Sequence, residues 1–418
     1  MFTEPSLGPV PLGDGGFIRP VRPVTSDKAS VRVASRCGTD RGSMLESRRA
    51  RTLQRGTRRE PCPAVLFVDE DGWDCHFQLA SGLRRAGFRT IRVTMKPPSR
   101  VAALCFNRTV QLGSDSDLAS LESILDGENV VDVQAIESLA LRTYQGFPAT
   151  SRPETSANWA RRIDIVDKLV VSRRLQTGGF FTPDVVPAPV AGAREVVEAL
   201  GLPVVHKPRV ASGGQGASII DTLGELQRVM STGGNSDAYL FERHVDGRSL
   251  QFSGVIGGGH GGPVVTYETL RREGRTGPAY EVLSIDDPEL AETGRKIAAH
   301  LGIEGMINVD VIRDAQGRDW VHDVNPRVWG SFASFRVVGV DFLGAYVDWL
   351  RGVPEVTSRR GIREETRIDV LPGAFLRQEP SESRVQVQAR LARAVLPYLK
   401  WVGPRYVAYE LVHNLKQK

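Results

Sequence analysis

Residues Ile307 to Gly330, INVDVIRDAQGRDWVHDVNPRVWG, constrain the fold more than any other stretch of the chain. Two runs of alternating apolar and polar residues flank Gln316-Gly317, the pattern of an antiparallel hairpin. With that turn at the centre, the numbers of paired residues sum to 633, so Asp310 faces Asp323 and Asn308 faces Asn325. Strand alternation puts these four side chains on one face and Val309, Val311 and Val324 on the other. Opposed carboxylates repel unless a proton or cation lies between them. A divalent cation is the economical answer, and two carboxylates with an amide oxygen suit Mg²⁺, which keeps water and substrate phosphate in its other positions. The plain alternative is a solvated sheet face, and a hairpin slipped by one residue would break the pair.

A second informative stretch is Pro203 to Asp221, PVVHKPRVASGGQGASIID. Lys207 ends an apolar strand, and Ser212-Gly213-Gly214-Gln215-Gly216 leads into the next. Such a loop can bring several backbone N–H groups up to phosphate oxygens, with the lysine as an added point charge. The chain has only 8 lysines among 418 residues, so each one beside a motif carries weight. No Gly-Lys dipeptide occurs, which excludes a Walker loop. A flexible surface hairpin is the competing reading of the loop. The formal GxGxxG at Gly257, Gly259 and Gly262 joins two strand patterns without opening a helix, so it is read as a connection only. Thr266 to Tyr280, TYETLRREGRTGPAY, is the candidate substrate loop, with Arg271, Arg272 and Arg275 suited to clamping a carboxylate.

Order along the chain supplies the architecture. Residues 1–60 are rich in Pro, Gly, Ser and Arg and read as disordered; translation starting at Met44 is a further reading of this segment. From Ala64 a strand (Ala64 to Val68), a helix (Phe77 to Ala86) and a strand (Thr90 to Thr94) make a βαβ unit. Val110 to Leu112, a helix near 118–125, Val130 to Val133 and a helix near 136–142 continue a small doubly wound α/β domain over 61–150. Arg161 to Gln176 reads as one helix. An α+β region of many strands follows, with a lid at about 170–245 inside a domain spanning 151–351. The rest, 352–418, is a helical extension, in which Gln388 to Leu399 is amphipathic with Arg390 off its apolar face.

Composition trims the classes. Residues 1–60 hold 12 basic and 6 acidic residues, leaving 42 basic and 43 acidic residues elsewhere, so the folded body has no excess positive charge for nucleic acid. No apolar run approaches the roughly 18 residues of a membrane helix, and no secretory apolar segment opens the chain. Cys37, Cys62, Cys75 and Cys105 lack metal-binding or CxxC spacing, which fits a reducing cytoplasm.

With the hairpin and the glycine loop in this order, the sequence resembles the ATP-grasp superfamily of carboxylate–amine ligases over about residues 61–351. The resemblance implies two α+β subdomains holding ATP between them after a small α/β domain. It implies that Lys168 and Lys207 contact ATP, with Lys207 on the α and β phosphates, and that Ser212, Gly213, Gly214 and Gly216 form the flap over them. Glu242 is then the acceptor for the adenine amino group, and the backbone of Arg243 to Val245 pairs with the ring. Ser249 stands at the ribose position, where the family usually carries Glu. Asp310, Asp323 and Asn325 fall on the magnesium ligands, with Asp323 replacing the usual Glu, and Arg327 meets the transferred phosphate. The implied cofactors are ATP and two Mg²⁺ ions, with Mn²⁺ as the alternative metal. The implied partners are a small carboxylate and an amine, without nucleic acid or membrane, in a monomer or homodimer. Catalysis rests on Lys207 and Arg327 without a protein nucleophile. Two other functions stay open: a nucleotide-binding protein without turnover, and a bicarbonate-activating carboxylase.

Overall fold

The computed structural model describes residues 62–68, 74–94, 97, 104–112, 127–135, 153–257, 261–353, 365–370 and 383–401. The 1–60 segment, Met44, and the helices expected near 118–125 and 136–142 lie outside them. Three sheets carry the described chain.

The first is parallel, with strands β1 (Pro63–Val68), β2 (Arg89–Thr94), β3 (Arg108–Gln111) and β4 (Asn129–Ala135) in the order β3-β2-β1-β4. Helix α1 (Asp74–Arg85) makes the crossover from β1 to β2. Ala64 to Phe67 are fully buried, as befits a strand covered on both faces.

Helices α2 (Pro153–Ile163) and α3 (Lys168–Thr177) follow. The sequence suggested one helix from Arg161 to Gln176; the structure breaks it in two. Asp167 takes the N-cap position of α3 and accepts from the Leu169 N–H, which an interior aspartate cannot do for a continuing helix. Between the two helices Ile165 and Val166 turn into separate apolar cores.

The second sheet is antiparallel, in the order β5-β8-β6-β7: β5 (Val185–Pro187), β6 (Val204–Pro208), β7 (Ser218–Ile220) and β8 (Tyr239–Arg243). Helices α4 (Ala193–Leu200) and α5 (Leu223–Val229) pack on it through Val196, Leu200 and Leu226. Thr222 and Glu225 close a reciprocal capping box at the start of α5.

The third and largest sheet has the order β13-β12-β9-β10-β11-β14. Its strands are β9 (Arg248–Ile256), β10 (Val264–Arg272), β11 (Ala279–Ile285), β12 (Gly305–Arg313), β13 (Asp319–Asn325) and β14 (Arg367–Asp369). Helix α6 (Pro288–Leu301) covers one face. It starts with the Asp287 cap and Pro288 and ends at the left-handed Gly302. Gly294 lets it press onto Phe252, whose ring lies 2.2 Å from where a Cβ would sit. The short β14 pairs with β11, so the stretch after 352 is not purely helical as expected. Helix α7 (Phe342–Leu350) joins α1 in a shared core through Phe342, Ala345 and Tyr346. Helix α8 (Arg384–Trp401) contains the expected amphipathic segment. It packs Val395 on that core, while Arg390, expected off the apolar face, is buried and Leu399 is exposed.

Candidate functional site

The β12–β13 hairpin pairs Asn308 with Asn325, Val309 with Val324 and Asp310 with Asp323, the register in which numbers sum to 633. Beyond Asp310 the register shifts, and Val311 pairs with Val321. His322 is the extra residue of a β-bulge. The bulge corrects the simple alternation: it lets both Val321 and Val324 enter the apolar core while Asp323 turns to the face of Asp310. It also turns the His322 carbonyl toward Lys207, whose Nζ donates to it at 3.1 Å.

Asn325 ties the face together. Its Nδ2 donates to Asp310 at 3.2 Å, Asp323 at 3.4 Å and Asn308 Oδ1 at 3.3 Å. Burial, and then the facing Asp323 carboxylate, push the Asp310 carboxyl up to about 7. Burial acts on Asp323 in the same direction, but the charges of Lys168 and Lys207 outweigh it and hold that carboxyl below the usual value. One aspartate is therefore ionised and the other is poised to exchange its proton for a cation. His322 is pushed down to about 3 by burial and by Lys207, so its imidazole is neutral and no acid or base at neutral pH.

Lys207 and Lys168 bracket the carboxylates. Lys207 Nζ lies 2.7 Å from Glu242 Oε2, and Lys168 Nζ lies 3.6 Å from Asp323 and donates to Ala211 O at 2.7 Å. Burial raises the Glu242 carboxyl, offset only in part by Lys207. The capping of α3 by Asp167 places Lys168 at the first helical position, next to the loop after β6.

In that loop Gly213, Gly214 and Gly216 all have positive φ. A Cβ on Gly214 would sit 2.0 Å from Thr276 O, so only glycine permits this approach. Ser212 is buried with its hydroxyl unpartnered. Thr276 belongs to the turn of the β10–β11 hairpin, and its hydroxyl donates to Ala217 O at 3.1 Å.

This hairpin replaces the loop expected at Thr266 to Tyr280. The alternation of TYETLRR continues as strand through Arg272, and only the residues from Glu273 to Pro278 form the connection. Arg271 and Arg272 end β10, where two register shifts redirect their side chains. Arg271 pairs with Glu281 at 3.2 Å, Arg272 donates to Ser249 Oγ at 2.5 Å, and Arg275 forms a two-pronged pair with Asp221 at 2.6 and 3.2 Å.

One cleft of about 760 Å³ collects these groups. It is lined by Lys168, Lys207, Gly213, Gly214, Glu242, Arg243, Val245 and Ser249, by Arg271, Arg272 and Arg275, and by Asp310, Asp323, Asn325 and Arg327. Ser212 and Gly216 lie beside the lining. Trp329 also reaches the cleft, while Phe332 and Phe335 lie in the core beside it. Arg327 is buried, with its guanidinium donating to Asn325 Oδ1 and Val328 O, both at 2.9 Å.

Sequence reasoning missed the floor of the site. Tyr267 O–H and Ser253 Oγ are 3.0 Å apart, and Asn308 Nδ2 donates to both. Gln251 faces Asp310 across β9 and β12 and exchanges hydrogen bonds with Thr269. The signal was present in β9, where Ser249, Gln251 and Ser253 alternate with Leu250 and Phe252.

The donor set fits magnesium. The Asp310–Asp323 pair with an adjacent amide is hard, oxygen-rich and costly to keep without a cation. Among the described residues no group of three or more His, Cys, Asp or Glu side chains comes together. The two carboxylates leave positions for phosphate oxygens, as a metal arriving with a nucleotide requires, while Asn325 turns its Nδ2 to them and its Oδ1 to Arg327, so that as placed it braces the pair.

Residues 165–331 match the family model of the ATP-grasp domain. This segment of the chain is an ATP-grasp domain, and the small parallel sheet precedes it. The chain is 28% identical over 174 residues to the carbamoyl phosphate synthase large chain of Clostridium botulinum (strain Langeland / NCTC 10281 / Type F), a match covering 39% of this chain and 15% of that protein. Among solved structures, N5-carboxyaminoimidazole synthetase from Staphylococcus aureus complexed with ADP superposes with a TM-score of 0.59 at 13% identity, covering 79% of this chain and 96% of that one. L-amino acid ligase from Bacillus licheniformis gives 0.55 at 15% identity, covering 72% and 73%. At these identities the structural likeness is one of fold.

Proposed function

We propose that this protein is an ATP-dependent carboxylate–amine ligase. The observation that carries the reading is the convergence, in one cleft, of two opposed aspartates, two lysines, a buried arginine and a glycine loop with three left-handed residues. ATP is the substrate that matches this set. The backbone from Arg243 to Val245 and the Glu242 side chain take the adenine end, Ser249 the ribose, and Lys168, Lys207 and the Ser212 to Gly216 loop the phosphates. Asp310 and Asp323 would hold Mg²⁺, joined by Asn325 once its amide turns its oxygen to the ion, and the metal would supply charge neutralisation at the phosphates.

The carboxylate oxygen of the second substrate attacks the γ-phosphorus, and the bond to the β-phosphate oxygen breaks to release ADP. The acyl phosphate then loses inorganic phosphate and a proton as the amine nitrogen bonds to the carbonyl carbon. Lys207 and Arg327 contribute fixed positive charge where the transferred phosphoryl group carries its negative charge. No side chain needs to act as a nucleophile. Arg271 and Arg275 already have carboxylate partners, whereas Arg272 donates to the neutral Ser249 hydroxyl, which makes Arg272 the better placed group for the substrate carboxylate. An amino acid or small peptide as that carboxylate agrees with the fold shared with an L-amino acid ligase.

The experiment is a screen of carboxylate and amine pairs, with amino-acid pairs first, for ADP and phosphate release, followed by mass spectrometry of the products. An amide product with stoichiometric ADP is expected. ATP binding without ADP release from any pair would instead make the protein a nucleotide sensor, and release dependent on bicarbonate would make it a carboxylase.

A further inference from the structure

A buried polar network connects the first parallel sheet to the phosphate end of the cleft. Gln134, on β4, is fully buried, and its Oε1 accepts from the backbone N–H of Val328 at 2.9 Å. Its Nε2 donates to Asp132 at 2.9 Å and to the Tyr346 hydroxyl at 3.0 Å, so acceptor and both donor hydrogens of the amide are engaged. Tyr346 in turn donates to Asp132. Arg162 closes the cluster, donating to Asp132 at 3.0 Å, to Val133 O at 2.8 Å and to Glu304 O at 2.7 Å. On the other side, Val328 O accepts from Arg327, and Arg327 also holds Asn325 Oδ1, whose amide contacts both Asp310 and Asp323. The chain of contacts therefore runs without a gap from Arg162 to the carboxylate pair.

We infer that Gln134 is a positioning residue for Arg327: it fixes the Val328 peptide, and through it the guanidinium, against the transferred phosphate. The inference rests on the ligase reading for Arg327's role. The position demands an amide, because one end must accept from a backbone N–H while the other donates to a carboxylate and a phenol. Glutamate would set a second negative charge beside Asp132, and methionine would leave the Val328 N–H buried and unmet.

The test compares Gln134→Met and Tyr346→Phe with the wild type. Three quantities are read: ATP affinity by calorimetry, ADP release, and hydrogen–deuterium exchange in peptides covering residues 325–331 and 212–216. For Gln134→Met turnover falls by about tenfold or more, ATP affinity stays within about twofold, and exchange quickens in 325–331 but not in 212–216. Tyr346→Phe gives a smaller loss in the same direction. Wild-type turnover and exchange in Gln134→Met, or a matched loss of ATP affinity with faster exchange in both segments, overturns the inference. Should Gln134→Met fail to fold, Gln134→Glu is compared with the double variant Asp132→Asn, Gln134→Glu, which exchanges donor and acceptor at constant charge. Recovery of turnover in the double variant supports positioning, and no recovery contradicts it. If the wild type turns over no substrate, the ligase reading fails, and exchange at 325–331 alone decides whether Gln134 orders this segment.

Discussion

Lys207 and Glu242 form an ion pair of 2.7 Å inside the cleft, each with only 8% of its side chain exposed. Removing the ammonium alone strands a buried carboxylate. Lys207→Met is therefore expected to lose about 3 to 5 kcal/mol of stability at pH 8, and less at pH 5, where Glu242, whose carboxyl is already raised by burial, takes up a proton. Pairing it with Glu242→Gln recovers most of the stability but not the affinity for ATP. Denaturant melts and nucleotide titrations of both variants check this, and a double variant as unstable as the single one would show that the two side chains do not depend on each other.

Asp310 gives the metal-free protein a pH dependence of defined sign. Its carboxyl is raised from 3.8 to about 7, so between those values the folded state holds more protons than the unfolded one. Stability from this group is present at low pH and falls as pH rises through that window. Asp323, shifted the other way, contributes stability that is lost only as pH drops below its ordinary 3.8. Thermal melts in chelator from pH 5 to 8 are expected to decline with pH in the wild type and to be flatter in Asp310→Asn. Equal slopes would place the proton elsewhere.

Arg275 and Asp221 join the tip of the β10–β11 hairpin to the end of β7, next to the contact between Thr276 and Gly214. Both partners are exposed, so Arg275→Ala is expected to leave the melting temperature unchanged while ADP dissociates several-fold faster. Reversing the pair, Arg275→Asp with Asp221→Arg, restores the slower dissociation. A clamp for a substrate carboxylate would behave differently, since reversal would then destroy substrate affinity instead of restoring a rate. Gly214→Ala, which pushes the loop off Thr276 O, is expected to weaken ATP binding further than Arg275→Ala.

The elements that declare themselves locally were the ones legible in the sequence. The facing of Asp310 and Asp323 was legible from alternation, but the turn was not centred where expected: beside it the paired numbers sum to 632, and the extra residue His322 restores 633 at the aspartates. The bulge at His322 was not legible: its signature is a break in alternation between Val321 and Val324, which reads equally as noise. The Lys207–Glu242 pair escaped for another reason. The two residues belong to neighbouring strands, and only tertiary pairing brings them together. The same holds for Gln134 and Val328, 194 positions apart. The partners of Arg271 and Arg275, Glu281 and Asp221, were not legible either, because only tertiary pairing brings them into view.

The most direct measurement is a calorimetric titration of ATP into the wild type and into Asp310→Asn, each with and without magnesium, alongside ADP release from the best substrate pair. The wild type is expected to bind ATP much more tightly with magnesium than without, and Asp310→Asn to lose both that gain and turnover. An Asp310→Asn protein that keeps the magnesium dependence and the ADP release of the wild type would contradict the account.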